Sequence, residues 1–265
     1  MIFKKFKDIV SYNKEYEQDV LRTVQKFNNY FNWSGDITKL MKEVGDSLGV
    51  FVVELPIQNE KFGAQLLKTQ YSCYLILNSS QPRNKMYFSF CHEIYHILEG
   101  STNYLNELRE VCLNEEYVTD PKEYKANCFA AHLLMPKEEF KKMYRLYTDK
   151  ENDYLTIILK LMNYFNAPYT AILIRLTELD LLPKQVDLKA LLDFNINSIE
   201  EELQNRWISK ECILPTGQDD SELIIYEMKN KARDLIEKEL LSEYNALKII
   251  ERTKKLLAEV KGQYE

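Results

Sequence analysis

Residues 90–100 read F-C-H-E-I-Y-H-I-L-E-G and contain His92-Glu93-Ile94-Tyr95-His96, an H-E-x-x-H sequence in an apolar, helix-compatible run. At about 100° per residue, His92 and His96 fall within roughly 40° of each other on a helix, one turn apart, so two imidazoles can hold one metal ion. Glu93 projects about 60° beyond His96, beside the metal rather than on it. A carboxylate there can take a proton from water whose pKa the ion has lowered to roughly 7. The chemistry implied is metal-assisted hydrolysis, with zinc as the ion and a peptide bond as the first substrate to consider.

The plain alternative is a structural helix that carries two histidines for no catalytic reason. Two of the chain's three histidines sit in this one motif, and the same helix carries a separate apolar stripe of Phe90, Ile94, Ile97 and Leu98. The histidines are expected at the edge of that stripe, as ligands beside a core would be. Cys91 precedes His92 directly, and a thiol nucleophile is the sharper alternative. A neighbouring helical position points about 100° away, however, and the metal motif already uses both nearby histidines.

A catalytic zinc site takes three protein ligands and leaves one position open, so a third must come from elsewhere. A metzincin would require a histidine at position 102, where this chain has Thr102. The acidic candidates are Glu99, Glu107, Glu110, Glu115, Glu116, Asp120 and Glu123. Glu99 shares the His96 face but lies a turn too far along, which makes it a supporting or surface group. Glu123 has the better setting. Pro121 suits a helix start, residues 122–134 continue it, and Met135-Pro136 ends it. Ala126, Phe129, Ala130, Leu133 and Leu134 form its apolar stripe, with Glu123 and Asn127 on or beside it. A carboxylate at the inward end of an apolar helix needs a partner, and a metal supplies one. Asn127, one turn on, could orient that carboxylate or hydrogen-bond a ligand histidine. The plain reading of Glu123 is a first-turn glutamate favoured by the helix dipole. His132 falls roughly 180° around the helix, so it is expected to face away from the metal as a surface or packing residue.

The blocks F-S-F-C-H-E-I-Y-H-I-L and E-Y-K-A-N-C-F-A-A-H-L-L-M-P together resemble the ImmA/IrrE family of metallo-endopeptidases. The resemblance implies zinc ligation by His92, His96 and Glu123, with Glu93 as the base. It also implies a cytoplasmic protease that cuts a helix-turn-helix repressor and so derepresses a mobile element or stress genes. Tyr95 stands where many members have a smaller residue and could narrow the cleft. Tyr95, Tyr104, Tyr117 and Tyr124 cannot be ranked as oxyanion donors from spacing.

The elements that must position these residues read as an α+β, zincin-like core over residues 35–183. Asp36 caps a helix that closes at Gly49. Strand-like runs follow at 51–55, 64–67 and 73–78, with Tyr74 to Asn78 as the expected substrate-binding edge. Two apolar helices at 154–164 and 169–179 flank the turn F-N-A-P-Y. The second offers only Arg175 as a cation, which argues for packing rather than DNA reading. Residues 1–34 form a helical extension, and 184–265 a helical C-terminal domain with a charged amphipathic pair near its end. That pair suits an oligomer seam, a signal sensor, a substrate dock or a stabilising cap.

Composition frames these readings. With 265 residues, 45% hydrophobic content and a net charge of -6, the chain can bury a sizeable core and presents no general polyanion-binding surface. No direct nucleic-acid or membrane contact is expected, since there is no signal-like leader and no run of eighteen apolar residues. Five cysteines without C-x-x-C spacing indicate reduced thiols in an intracellular protein. The rival from another class is a non-catalytic zinc-containing regulatory module, antitoxin-like, with four protein ligands and no open position.

Overall fold

Asp36 accepts a hydrogen bond from the Lys39 N–H at 3.1 Å, and Gly49, at φ 63°, ends the same helix in the left-handed conformation that glycine adopts without steric cost. A computed structural model of the chain describes residues 2–31, 33, 35–68, 73–99 and 120–262. It begins with helix α1 (Ile2–Tyr30) and the capped α2 (Ile37–Leu48), followed by β1 (Val50–Leu55), β2 (Ala64–Lys68) and β3 (Cys73–Asn78). The motif helix α3 (Arg83–Leu98) and α4 (Pro121–Leu134) come next. Helices α5 (Lys137–Thr148), α6 (Tyr154–Phe165), α7 (Tyr169–Glu178), α8 (Leu188–Leu192), α9 (Ile199–Asn205), α10 (Ser221–Glu237) and α11 (Glu243–Val260) complete the order.

The described strands form a mixed sheet in the order β1-β3-β2, parallel between β1 and β3 and antiparallel between β3 and β2. This overturns the expectation that Tyr74 to Asn78 is an edge, because β3 lies in the middle. Local composition cannot order strands that are all short and apolar, whereas the burial of Leu75 and Leu77 does mark β3 as central. Asn78 finishes β3 with a saturated amide. Its Oδ1 accepts from the N–H groups of Ile57 and Ser80, and its Nδ2 donates to the carbonyls of Asn59 and Phe62. The amide thereby ties the β1–β2 loop to the end of β3.

Helix α3 packs between the sheet and α4, and α1 lies across α4, α7 and α3. From Phe88 to His96 every side chain of α3 is buried. The expected edge-of-core stripe is therefore incomplete: the helix is enclosed on all sides, as a central core helix is. α1 is laced to the site-bearing helices by Phe27 against Phe129, by Trp33 just beyond it donating to the Leu133 carbonyl at 3.0 Å, and by Thr23 donating to Glu99 at 3.0 Å.

The C-terminal residues are seated on the opposite end of the sheet. Thr216 donates to the Glu54 carboxylate, the Gln58 N–H to the Val260 carbonyl, and Arg83 at the start of α3 pairs with Glu211. α10 and α11 pack against each other. Among the described residues no single helix is long and apolar enough to cross a membrane, and the apolar α6–α7 pair is bent by 106°.

Candidate metal centre

α3 brings the two motif imidazoles together, with His92 Nε2 and His96 Nε2 3.1 Å apart. α4 delivers the carboxylate. Asp120 caps that helix by accepting from the Lys122 N–H, Pro121 starts it, and Glu123 in its first turn reaches across to α3. Glu123 Oε2 lies 3.1 Å from His92 Nε2, and Oε1 lies 3.5 Å from His96 Nε2. One donor atom from each of the three residues falls within 4.8 Å of the others. One turn further along α4, Asn127 Oδ1 sits 2.9 Å from His92 Nδ1.

The protonation pattern of this cluster shows what it can hold. An amide oxygen facing Nδ1 requires the proton on Nδ1, which leaves a lone pair on His92 Nε2. That lone pair faces a carboxylate oxygen and a second imidazole nitrogen, so three electron-pair donors converge on one point. Such an arrangement is repulsive unless a cation relieves it, either a metal ion between the donors or a proton taken up on an imidazole, and two imidazoles with one carboxylate are a zinc-type donor set. The electrostatics register the same demand. Burial by itself pushes the Glu123 carboxyl up, but hydrogen bonds and charge from His92 and His96 outweigh it and hold the group well below the usual carboxylate range. For His92, burial favours the neutral ring, yet Glu123, Glu93 and Asn127 together raise its proton affinity above the ordinary value.

Glu93 is 3% exposed, and burial raises its carboxyl above the usual range against the pull of His92 and His96. A buried carboxylate with raised proton affinity beside a cluster that could hold a cation is suited to accept a proton and return it.

The other residues singled out from the sequence fall elsewhere. Tyr95 is buried, with its ring against Phe129 and edge-on to His96, so it packs the core rather than narrowing a cleft. Cys91 is fully buried and its thiol is pushed far up by that burial, the opposite of an activated nucleophile. Tyr124 is stacked on Tyr12 of α1 at 4.6 Å. Glu99 closes α3, held by Thr23 and, at 3.7 Å, by Lys26. His132 is a packing residue, buried against the Arg175 guanidinium. Arg175 is itself buried and donates to the Met135 carbonyl and Glu178, so it is enclosed within the helix packing. Thr102, Tyr104, Glu107, Glu110, Cys112, Glu115, Glu116 and Tyr117 lie outside the described residues. Sequence reasoning missed Thr23 and Trp33, whose partners are more than 70 positions away and leave no local signal.

A family model described as the IrrE N-terminal-like domain, a peptidase family, matches residues 46–177, a span that contains His92, Glu93, His96, Glu123 and Asn127. No curated protein matches the chain.

Proposed function

The chain belongs to the IrrE N-terminal-like peptidase family through residues 46–177, and on that premise we propose that it is a zinc-dependent endopeptidase. His92, His96 and Glu123 would hold the ion. The observation that carries the reading is the convergence of their donor atoms on one point, with His92 Nε2 3.1 Å from both partners.

When bound, zinc supplies Lewis-acid polarisation of the scissile carbonyl and lowers the pKa of water at the site. The chain's own residues do the rest. Asn127 fixes the tautomer and orientation of His92. Glu93 takes the proton from the attacking water and passes it to the departing amine, and its burial tunes it for both transfers. α1 and the sheet enclose α3, so the imidazoles need no large rearrangement to receive the ion.

The substrate we propose is a helix-turn-helix repressor in the cytoplasm, cut so that a mobile element or a stress response is derepressed. The resemblance of the two motif blocks supports that reading. The test pairs metal analysis with incubation of wild type and Glu93→Gln with the repressor encoded nearest to the gene. One zinc per chain in both proteins, with a discrete cut by wild type alone, is the expected result. Zinc with tight repressor binding and no cut in either protein would replace the peptidase with a regulatory zinc module.

A further inference from the structure

Glu178, at the end of α7, has both carboxylate oxygens engaged: Oε2 accepts from Arg175 at 3.0 Å and Oε1 from Asn13 Nδ2 of α1 at 2.6 Å. An ionised carboxylate only accepts, so the Asn13 amide must turn its nitrogen toward Glu178, and Oδ1 is the end left over. Among the described residues that oxygen has no hydrogen-bond partner, although Asn13 is only 5% exposed. A buried acceptor without a donor is costly, and a bound donor relieves it. Asn13 forms part of the wall of a cavity of about 390 Å³, bounded by α1, the end of α4, the start of α5 and the end of α7. That is room for a small metabolite, and no residue of the metal centre lines it.

The charges around the cavity are unevenly matched. Glu178 is neutralised by Arg175, and at the exposed rim Asp180 meets Lys14 at 3.8 Å. What remains is Glu17 on α1 and the pair Lys137 and Lys141, one turn apart at the start of α5. Among the described residues neither lysine is in an ion pair, and Glu17 faces only His132, at 3.9 Å. Burial and the Arg175 guanidinium hold that imidazole neutral, so it brings Glu17 no charge. The unmatched set is thus a neutral acceptor, one carboxylate and two ammonium groups.

We propose that this cavity binds an acidic amino acid, its α-ammonium held by Asn13 Oδ1 and the Glu17 carboxylate and its two carboxylates by Lys137 and Lys141. An ammonium donates and carries positive charge, which answers both groups on α1 at once. Two carboxylates balance the two lysines. An inorganic anion would satisfy the lysines and leave Asn13 and Glu17 as they are, and a simple amine would do the reverse. Of the cavity wall only His132, Lys137 and Lys141 fall within the family-matched residues 46–177. The groups that receive the ammonium come from α1, so the site belongs to this chain's extension docked on the family core. The inference is independent of the peptidase reading, because it needs neither the metal nor Glu93.

The test is calorimetric titration of the full-length protein with L-glutamate and L-aspartate. At least one of them is expected to bind once per chain. Glutarate, which lacks the ammonium, and glutamine, which lacks the second carboxylate, should bind about tenfold or more weakly. Glu17→Gln and Lys141→Met are each expected to weaken binding about tenfold. Lys142→Met should bind like wild type, since Lys142 pairs with Glu139 outside the cavity. Thermal melting reports whether each variant folds, and if Glu17→Gln does not, the glutarate comparison puts the same question to wild type. Zinc-loaded and chelator-stripped protein should give equal affinities, because the cavity contains no residue of the metal centre. Loss of binding on stripping would place the amino acid on the metal and overturn the proposal. So would no binding of either acid at about 10 mM, glutarate or inorganic phosphate bound as tightly as glutamate, or unchanged affinity in folded Glu17→Gln or Lys141→Met.

Discussion

Asn127 holds His92 by the ring edge opposite the site, its Oδ1 2.9 Å from Nδ1, and so places a proton on Nδ1 and turns Nε2 toward the cluster. Glu123 and Asn127 are one turn apart on α4, and both act on the same imidazole of α3. One helix thus contributes a carboxylate to the His92–His96 cluster and the amide that meets the facing histidine.

Replacing that acceptor is expected to cost metal affinity before it costs fold. Asn127→Leu leaves the His92 Nδ1–H without its partner, and zinc affinity should fall by about 10–100-fold, read by titration against a competing chelator. Asn127→Asp keeps an acceptor in place and should recover most of the loss. Equal affinities in wild type and Asn127→Leu would remove the orienting role.

Metal removal should be visible in stability. Without a metal the donor atoms of His92, His96 and Glu123 crowd one another at 3.1–3.5 Å and are relieved only by a proton on an imidazole. Zinc that binds only the folded chain stabilises it by about 4 kcal/mol at a thousandfold excess over Kd. The thermal midpoint of stripped protein is therefore expected to rise on adding zinc. His96→Ala should abolish the rise, and an unchanged midpoint in wild type would argue against a preformed site.

α1 reads in the sequence as an extension, yet its buried face behaves as part of the core. Phe27 is fully buried, with its ring at 4.9 Å from Phe31 and 6.0 Å from Phe129 of α4. Phe27→Ala should destabilise the fold by about 3–5 kcal/mol, measured by urea unfolding, because the surrounding helices cannot close fully on the cavity. A loss below about 1 kcal/mol would return α1 to the status of an appendage.

The parts of this architecture that were legible in the sequence are those written locally. Asp36 and Gly49 bracket α2, Pro121 starts α4, and the three strand runs fall within a residue or so of β1, β2 and β3. The meeting of His92 and His96 was legible because the helical period alone puts the two imidazoles together. What was hidden depends on partners remote in sequence. The central place of β3, the enclosure of Tyr95 and the joining of Glu54 to Thr216 and Asp220 all follow from packing, which periodicity does not encode. A period shows that a face is apolar and says nothing of what covers it.

His132 gives the pH prediction. Burial, and after it the Arg175 guanidinium and Lys137, hold its imidazole down to about 3, against the ordinary 6.5. Glu17 of α1 also faces the ring, 3.9 Å from Nε2, and Glu178 reaches it only through Arg175. The unfolded chain takes up this proton first, so the folded state is favoured above pH 6.5 and loses that advantage as pH falls toward about 3. The slope contributed by one such group is at most about 1.4 kcal/mol per pH unit. His132→Gln cannot titrate. Between pH 7 and pH 5 wild type should therefore lose roughly 2 kcal/mol more than the variant in paired urea titrations, since contributions from other groups cancel in the difference. Equal losses in the two proteins would mean that His132 takes up its proton as readily in the folded state as in the unfolded chain, with Glu17 offsetting burial and Arg175.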